Sequence, residues 1–207
     1  AAALMAVGAP ERALAPLARA DALLTDRTLA ARSRAHGLEG PAGFTNTRYR
    51  AMVAGLRGGA FASTGALGEA REALLQRRTL LAEIFSDADV DDDLYQLAGV
   101  ELRLGEVATR AADPERAHTH FEAGLEHLDA FRERTGTEIT DTGLALLSAS
   151  FELDPARARA NGLDARLASA YEFMIEFPNP DWERARARFE IYLSLIELPL
   201  SNARSVR

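Results

Sequence analysis

The chain has 207 residues, of which 47% are hydrophobic and 27% charged, a balance that is ordinary for a folded globular protein and argues against extensive disorder. A formal net charge of −7 argues against a general nucleic-acid-binding surface, and no apolar run reaches the roughly 20 residues that a membrane-spanning helix needs. The absence of cysteine excludes disulfides, thiolate-metal sites and cysteine nucleophiles, and it leaves both the cytoplasm and the periplasm open.

The basic side chains, histidine aside, are all arginine. This bias indicates codon usage in a GC-rich, bacterial type of genome. The alternative is selection for bidentate recognition of anions, to which the planar guanidinium is suited. In segments 155–166 and 183–190 arginine alternates with alanine, and a helix would spread these charges around its circumference. We therefore expect exposed helical charge in both segments.

Gly, Pro, Asn and Asp interrupt segments whose apolar residues follow helical spacing, and alternating β-branched stretches are rare, so the sequence predicts an all-α fold. The Gly-rich residues 33–47 are predicted to form a loop between two helical blocks, and residues 201–207 a tail. The predicted helices are 1–7, 11–24, 47–61, 67–85, 94–110, 114–134, 142–152, 155–177 and 182–198.

Helix start signals support several of these elements. Asp113 and Asp154 each precede a proline, which combines an N-cap acceptor with a residue whose missing N–H costs nothing in the first turn. Asp181 precedes Trp182 and is predicted to cap the last helix in the same way, with Trp182 as a packing residue. The chain is therefore expected to alternate helices with short capped turns.

A repeated pattern links these helices. Segments 8–24 and 112–128 both contain Pro-Glu-Arg-Ala followed by the same apolar spacing. The pattern resembles the tetratricopeptide repeat, a pair of antiparallel helices recurring about every 34 residues, in which small residues alternate with large apolar ones at fixed intervals. The residues that carry the resemblance are Ala13, Leu17 and Ala20; Gly58, Phe61, Ala70 and Leu74; Leu104, Gly105, Ala108, Ala117, Phe121 and Gly124; and Leu167, Ala168, Tyr171, Ala185 and Phe189.

The resemblance implies an α-solenoid of antiparallel helix pairs with about four units, the first one truncated. Its domains are a partial repeat over 1–32, the loop 33–47, repeats over 48–200 and the tail 201–207. The 47 residues from Gly58 to Gly105 exceed the usual period and are similar to longer-helix variants such as kinesin-light-chain-like repeats. A different kind of α-solenoid is the alternative. In either case, small residues let paired helices approach to roughly 8–10 Å, and each pair leaves an apolar face for its neighbour to cover.

The function that the resemblance implies is non-catalytic: a scaffold that binds a peptide or protein partner through the surface lined by first helices. The alternatives are a structural subunit of a larger assembly and a regulatory repeat segment of a longer enzyme or signalling protein. No nucleic acid, membrane insertion, cofactor or metal is expected. The groove positions of the family, carried onto matching helices, give the partner-binding candidates Leu102, Arg103, Glu106, Arg110, Arg166, Ser169 and Glu172.

Two other constellations invite a chemical interpretation. Asp87, Asp89 and Asp91 have the spacing that opens an EF-hand loop, but the sixth and twelfth positions lack the glycine and glutamate that calcium binding needs, which favours an acidic turn. His118, His120 and His127 form a cluster without a convergent fourth ligand, so a solvated face is predicted, with His118 and Glu122 projecting outward.

Overall fold

The computed structural model describes residues 4–5, 8–26, 42–88, 91–137 and 140–195, and over these ranges it is helical with no strand, which confirms the all-α class. The longer helices come first in the chain, and a 3-10 turn, Pro180–Trp182, precedes the last helix. The helices are α1 (Pro10–Thr25), α2 (Ala42–Thr64), α3 (Leu67–Ala88), α4 (Asp91–Arg110), α5 (Pro114–Thr135), α6 (Asp141–Leu153), α7 (Pro155–Ala160), α8 (Leu163–Glu176) and α9 (Glu183–Leu195).

The chain divides into two compact units, Ala1–Thr135 and Gly136–Arg207. In the first unit each of α1 to α4 packs against the next helix in the chain, and in the second unit α6 to α9 pack among themselves. The division falls within the block 48–200 that was predicted to be a continuous array. Of the predicted loop 33–47, residues 42–47 belong to α2, while residues 33–41 and the tail 201–207 lie outside the described residues.

Two of the three predicted N-caps are confirmed. An Asp113 carboxylate oxygen accepts a hydrogen bond from the backbone N–H of Arg116 at 3.2 Å, and Asp154 accepts one from Arg157 at 3.0 Å. The prediction for Asp181 is wrong, because this residue lies inside the 3-10 turn, where its own backbone N–H donates to the Asn179 side chain at 3.0 Å. Proline after the cap starts a helix reliably, whereas the Pro-Asn-Pro segment favours a tighter turn first.

The prediction of one helix over 155–177 is also wrong. The helix ends at Ala160 and a new one begins at Leu163, because Gly162 adopts the left-handed conformation with φ of 72°. Glycine reaches this conformation without the steric cost that a Cβ would impose. The Asn161-Gly162 pair therefore breaks a segment whose apolar spacing alone is continuous.

The helices of the first unit share one packing pattern. On each of α1, α3 and α5, a buried alanine is followed four residues later by a buried large side chain, which places both on one face. The pairs are Ala13 and Leu17, Ala70 and Leu74, and Ala117 and Phe121, each at most 2% exposed. The predicted core positions of these helices are thereby confirmed.

Glycines on α2 and α4 receive the large members of these pairs. A Cβ added at Gly58 would lie 2.7 Å from Cγ of Leu74, and a Cβ added at Gly105 would overlap the ring of Phe121. Both glycines sit sixteen residues before the side chain that they receive. The same close approach therefore recurs at an interval of 47 residues, as the sequence pattern indicates.

The ends of α2 and α4 also correspond. At the end of α2, Gly65 adopts φ of 85° and the N–H of Ala66 donates to the carbonyl of Phe61 at 3.0 Å. At the end of α4, Ala112 adopts φ of 56° and the N–H of Asp113 donates to the carbonyl of Ala108 at 3.0 Å. Both are helix ends in which a residue in the left-handed region turns the chain, but the second one uses alanine at a position that favours glycine.

In the second unit, α6 and α9 are joined by aromatic and polar contacts. The ring of Tyr192 stacks on Phe151 with centroids 5.7 Å apart, and its hydroxyl donates to Glu152 at 3.0 Å. Burial and the hydrogen bond to Glu152 raise the pKa of Tyr192 to about 12, so the hydroxyl remains a donor. Trp182 donates to Asp141 at 2.8 Å, which fits the predicted packing role.

Gly105→Ala is expected to destabilise the protein by about 1–3 kcal/mol, because its Cβ must displace the ring of Phe121. Gly99→Ala on the same helix is the matched control. Nothing lies within 4 Å of its added Cβ, and alanine is the better helix former, so it should stabilise by about 0.5–1 kcal/mol. Urea denaturation of both variants measures the difference, and equal effects would contradict the packing described here.

Ala112→Gly is expected to stabilise the protein by about 0.5–1 kcal/mol, because glycine removes the steric cost of the left-handed conformation. The reciprocal change, Gly65→Ala, should destabilise by a similar amount at the equivalent end of α2. Thermal denaturation of the two variants checks the pair. A loss of stability on Ala112→Gly would show that this residue is not held at positive φ.

Candidate binding surface

The seven candidate residues fall into two groups. Leu102, Arg103, Glu106 and Arg110 lie together on α4 in the first unit, and Arg166, Ser169 and Glu172 lie together on α8 in the second. Ser169 and Glu172 are exposed and Arg166 is partly buried. The group on α4 lies beside further accessible side chains on α2, and these two helices together form the candidate surface.

The accessible residues of α4 form one narrow stripe. Most of the helix is buried, and five of the seven described positions that are exposed or partly exposed recur at intervals of three or four residues, which places them on one face, with Tyr95 and Thr109 next to it. Leu102 is only 8% exposed and lies beside the stripe in the interior. We call this set the α4 stripe: Gln96, Gly99, Arg103, Glu106 and Arg110.

A matching stripe lies on α2, 47 residues earlier in the chain. Among the described side chains of α2, Tyr49 and Met52 are the large apolar ones that are exposed, each at 52%. Sequence inspection did not select them, although the offset that relates Gly58 to Gly105 also relates Tyr49 to Gln96. The α2 stripe consists of Tyr49, Met52, Leu56, Gly59 and Ser63.

Two side-chain contacts connect α2 with α4. Near the start of both helices, the guanidinium of Arg48 lies 3.1 Å from the carboxylate of Asp93, whose side chain is fully buried. At their ends, Arg110 donates to the backbone carbonyl of Ala62 at 2.6 Å. Arg110 therefore adds a second donor to a carbonyl in the last turn of α2, which also accepts from the N–H of Gly65 at 3.2 Å. The two helices are thus linked near their starts and near their ends.

The side chain of Arg77, on α3, extends past α2 to the α4 stripe. Its guanidinium passes Gly55, where an added Cβ would lie 2.8 Å from Cδ of Arg77, and donates to the side-chain oxygen of Gln96 at 2.7 Å. Burial, and secondly the positive charge of Arg103, lower the pKa of Arg77. Its Nε has no hydrogen-bond partner, and among the described residues no carboxylate pairs with it. Arg77 thus brings an uncompensated positive charge to the α4 stripe.

Arg103 adds a second positive charge to the same stripe. It is 64% exposed and pairs with Glu106 one turn later, at 2.7 Å. Exposed pairs of this kind contribute little to stability and exchange readily with solvent. The α4 stripe therefore presents the exposed Arg103–Glu106 pair beside the neutral amide of Gln96 and Gly99, and the guanidinium of Arg77 reaches it without a carboxylate partner among the described residues.

Histidine burial corrects the prediction of a solvated face. His118 is 6% exposed and His120 is 8% exposed, so both belong to the interior. Nδ1 of His120 donates to the buried carboxylate of Glu101 at 2.6 Å, and the guanidinium of Arg78 lies 3.3 Å from the other carboxylate oxygen. The cluster thus joins α3, α4 and α5 through a buried polar contact that the spacing of apolar residues did not reveal.

The pKa of Glu101 reflects opposing influences. Burial raises the pKa of this carboxyl, but the hydrogen bond and charge of His120, together with those of Arg78, outweigh it and bring the pKa below its ordinary value of 4.5. The ionised form is therefore the one that this interior stabilises.

Within the described ranges, no group of three or more His, Cys, Asp or Glu side chains could hold a metal ion. Of the three residues of the predicted acidic turn, Asp87 lies in the last turn of α3, Asp91 begins α4, and Asp89 lies outside the described residues. In the part of the chain that the structure describes, no helix has the length and apolarity needed to cross a membrane.

Comparison with family models finds no match for this sequence, and neither the curated proteins nor the solved structures contain a match.

Glu101→Ala is expected to destabilise the protein by about 2–4 kcal/mol near pH 7, because His120 loses its buried partner. Since folding lowers the pKa of Glu101 below its ordinary value of 4.5, its stabilisation is complete above that value and is lost as the pH falls through the folded value. The difference from the wild type should therefore shrink below about pH 4.

Urea denaturation between pH 3 and pH 7 measures this difference. Glu72→Ala is the matched control, because Glu72 is an exposed residue on α3 and its removal should change stability by at most about 0.5 kcal/mol. A cost of Glu101→Ala that stays constant down to pH 3 would show that the ionised carboxylate is not what stabilises the contact.

Proposed function

We propose that this protein is a non-catalytic scaffold that binds a peptide or another protein across the adjacent stripes of α2 and α4. The observation that carries the proposal is the exposure of Tyr49 and Met52, side by side with a stripe that presents guanidinium and amide groups. Aromatic residues, methionine and arginine are the residue types enriched in the centres of protein interfaces.

The proposed architecture is an α-solenoid of antiparallel helix pairs, and the order of contacts within α2 to α5 supports it. Moving along α2 from Gly55 to Gly58, the partner position on α3 moves backward from Arg77 to Leu74. A backward step of equal length is the mark of helices that run in opposite directions.

The second pair repeats this order. Tyr95 near the start of α4 contacts Phe131 near the end of α5, with ring centroids 5.9 Å apart, while Gly105 further along α4 contacts Phe121 earlier in α5. A step of ten residues along one helix is thus matched by a step of ten residues back along the other.

The relation between the pairs supports stacking. The start of α2 contacts the start of α4 through Arg48 and Asp93, and the end of α2 contacts the end of α4 through Ala62 and Arg110. This order is expected of two helices that run in the same direction. In such a stack the first helices of successive pairs line one continuous surface, which in helical-repeat proteins is the extended binding surface. Together with the sequence pattern, this order supports the resemblance to tetratricopeptide repeats.

A structural-subunit function is the second candidate. It is supported by exposed apolar side chains away from the stripes: Leu23 on α1 is 53% exposed, Phe177 after α8 is 52% exposed and Ile191 on α9 is 58% exposed. Exposed apolar side chains in both units are available for contact with neighbours in an assembly. A regulatory segment within a longer chain is the third candidate. Such a segment would bind its partner through the same two stripes, so it requires no additional surface.

Site-specific photo-crosslinking distinguishes the two candidates. A photoreactive amino acid placed at Met52 or Arg103, on the stripes, is expected to crosslink one identified partner at least about tenfold more than the same group at Arg71 or Glu126, which are exposed elsewhere in the first unit. The partner, once identified by mass spectrometry, should bind the purified protein with defined stoichiometry. Crosslinks that form equally from all four positions would contradict binding through the stripes and favour a structural subunit.

A further inference from the structure

We propose that the two stripes bind an acidic segment of a protein partner, with a partner carboxylate replacing Gln96 as the acceptor for Arg77 and an adjacent apolar side chain packing on Tyr49 and Met52. This inference rests on the proposed function and names the chemical class of its partner. Its first support is the state of Arg77, and the others come from the path of that side chain and from its neighbours.

The partner of Arg77 is neutral. A guanidinium withdrawn from water is stabilised best by a carboxylate, because charge-assisted hydrogen bonds are roughly twice as strong as neutral ones. Here the acceptor at 2.7 Å is the amide oxygen of Gln96, and the nearest charged influence is the like charge of Arg103. A carboxylate of a binding partner would therefore meet two guanidinium groups, those of Arg77 and Arg103, which only the carboxylate of Glu106 balances among the described residues.

The path of Arg77 is built into the backbone of α2. Any side chain at residue 55 would meet the arginine, since an added Cβ would lie 2.5 Å from its Nη1 and 2.8 Å from its Cδ. Glycine inside a helix costs roughly 0.5–1 kcal/mol relative to alanine. This cost is present at Gly55. The glycine leaves room for Arg77, a residue of α3, to reach the surface formed by α2 and α4.

The acceptor position is accessible. Gln96 is partly exposed and is the first member of the α4 stripe, and Gly99, one turn later, has open space where a side chain would stand. Arg103 follows after one more turn, so its pairing with Glu106 can be exchanged for a second partner carboxylate. A segment lying along α4 would pass each of these positions in turn.

The apolar part of the surface is next to the charged part. Met52 stands one helical turn before Gly55, and Tyr49 one turn before that, on the same face of α2. A partner with apolar residues between its acids would bury the exposed halves of both side chains. Because the protein carries a net charge of −7, long-range attraction cannot draw in an acidic partner, and recognition depends on these local contacts.

Fluorescence anisotropy with two synthetic peptides tests the inference. One labelled peptide carries four Glu-Leu repeats between Gly-Ser ends, and the other carries Gln in place of each Glu. We expect the wild type to bind the Glu peptide at least about tenfold more tightly than the Gln peptide. Failure of the wild type to bind either peptide, or equal binding of both, would overturn the inference.

Charge-removal variants assign the preference to Arg77. Arg77→Met should lower the affinity for the Glu peptide about tenfold and abolish the preference over the Gln peptide. Arg71→Met removes the same charge from an exposed site on the same helix and should change affinity less than about twofold. Equal losses in the two variants would indicate non-specific attraction and overturn the inference. Arg103→Met, at an exposed position, provides a second charge-removal variant whose folding is not in question.

Gln96→Glu provides an internal carboxylate in place of the external one. It should raise the melting temperature and lower the affinity for the Glu peptide about tenfold, because Arg77 is then paired within the protein. Gln76→Glu, a partly exposed position on α3, is the matched control and should do neither. An unchanged melting temperature for Gln96→Glu would contradict an uncompensated charge on Arg77. If the Glu preference fails while crosslinking remains confined to the stripes, the scaffold stands and only the acidic partner is wrong.

Discussion

The first unit depends on the close approach of paired helices at Gly58 and Gly105. Each glycine receives a large side chain from the following helix, so the two backbones come nearer than any side chain at those positions would allow. Once the helices are this close, most of α4 is covered by its neighbours, and its accessible side chains lie mainly on one stripe. On α2 the exposed large apolar side chains are Tyr49 and Met52, and they stand at the positions that correspond to the start of that stripe.

The same closeness forces polar groups into the interior. Asp93 and Glu101 lie on faces of α4 that neighbouring helices cover, so each needs a partner from another helix, and Arg48, Arg78 and His120 provide them. Buried pairs of this kind contribute less to net stability than their distances suggest, because both groups lose water. Their effect is to penalise any other arrangement of the helices, in which the carboxylates would be buried without partners.

Much of this fold could be predicted from the sequence, because its determinants are local or recur. The caps at Asp113 and Asp154 depend on neighbours within three residues, and the positions of Phe121 and Gly105 follow from one repeated spacing. Features that depend on several helices at once were not predictable. The burial of His120 requires the carboxylate of Glu101 on another helix, and the exposure of Tyr49 depends on how neighbouring helices pack around α2. The 47-residue offset is the one signal that could have indicated Tyr49 and Met52.

The position of Arg77 is difficult to explain by stability alone. An aliphatic side chain of similar length would pack between α2 and α4 without the cost of desolvating a charge, and Gly55 could then be an ordinary helix former. A cation that is partly withdrawn from water, paired with a neutral amide and placed near a second cation stores free energy that an incoming anion can release. Binding of the anion would stabilise the folded protein to an extent that grows with the occupancy of the site. The free energy that Arg77 costs the free protein would in this way favour anionic partners over neutral ones. The bias toward arginine in the composition is compatible with genome-wide codon usage, but the path of this one arginine depends on a glycine on another helix, and the proposed binding of an acidic segment would account for that arrangement.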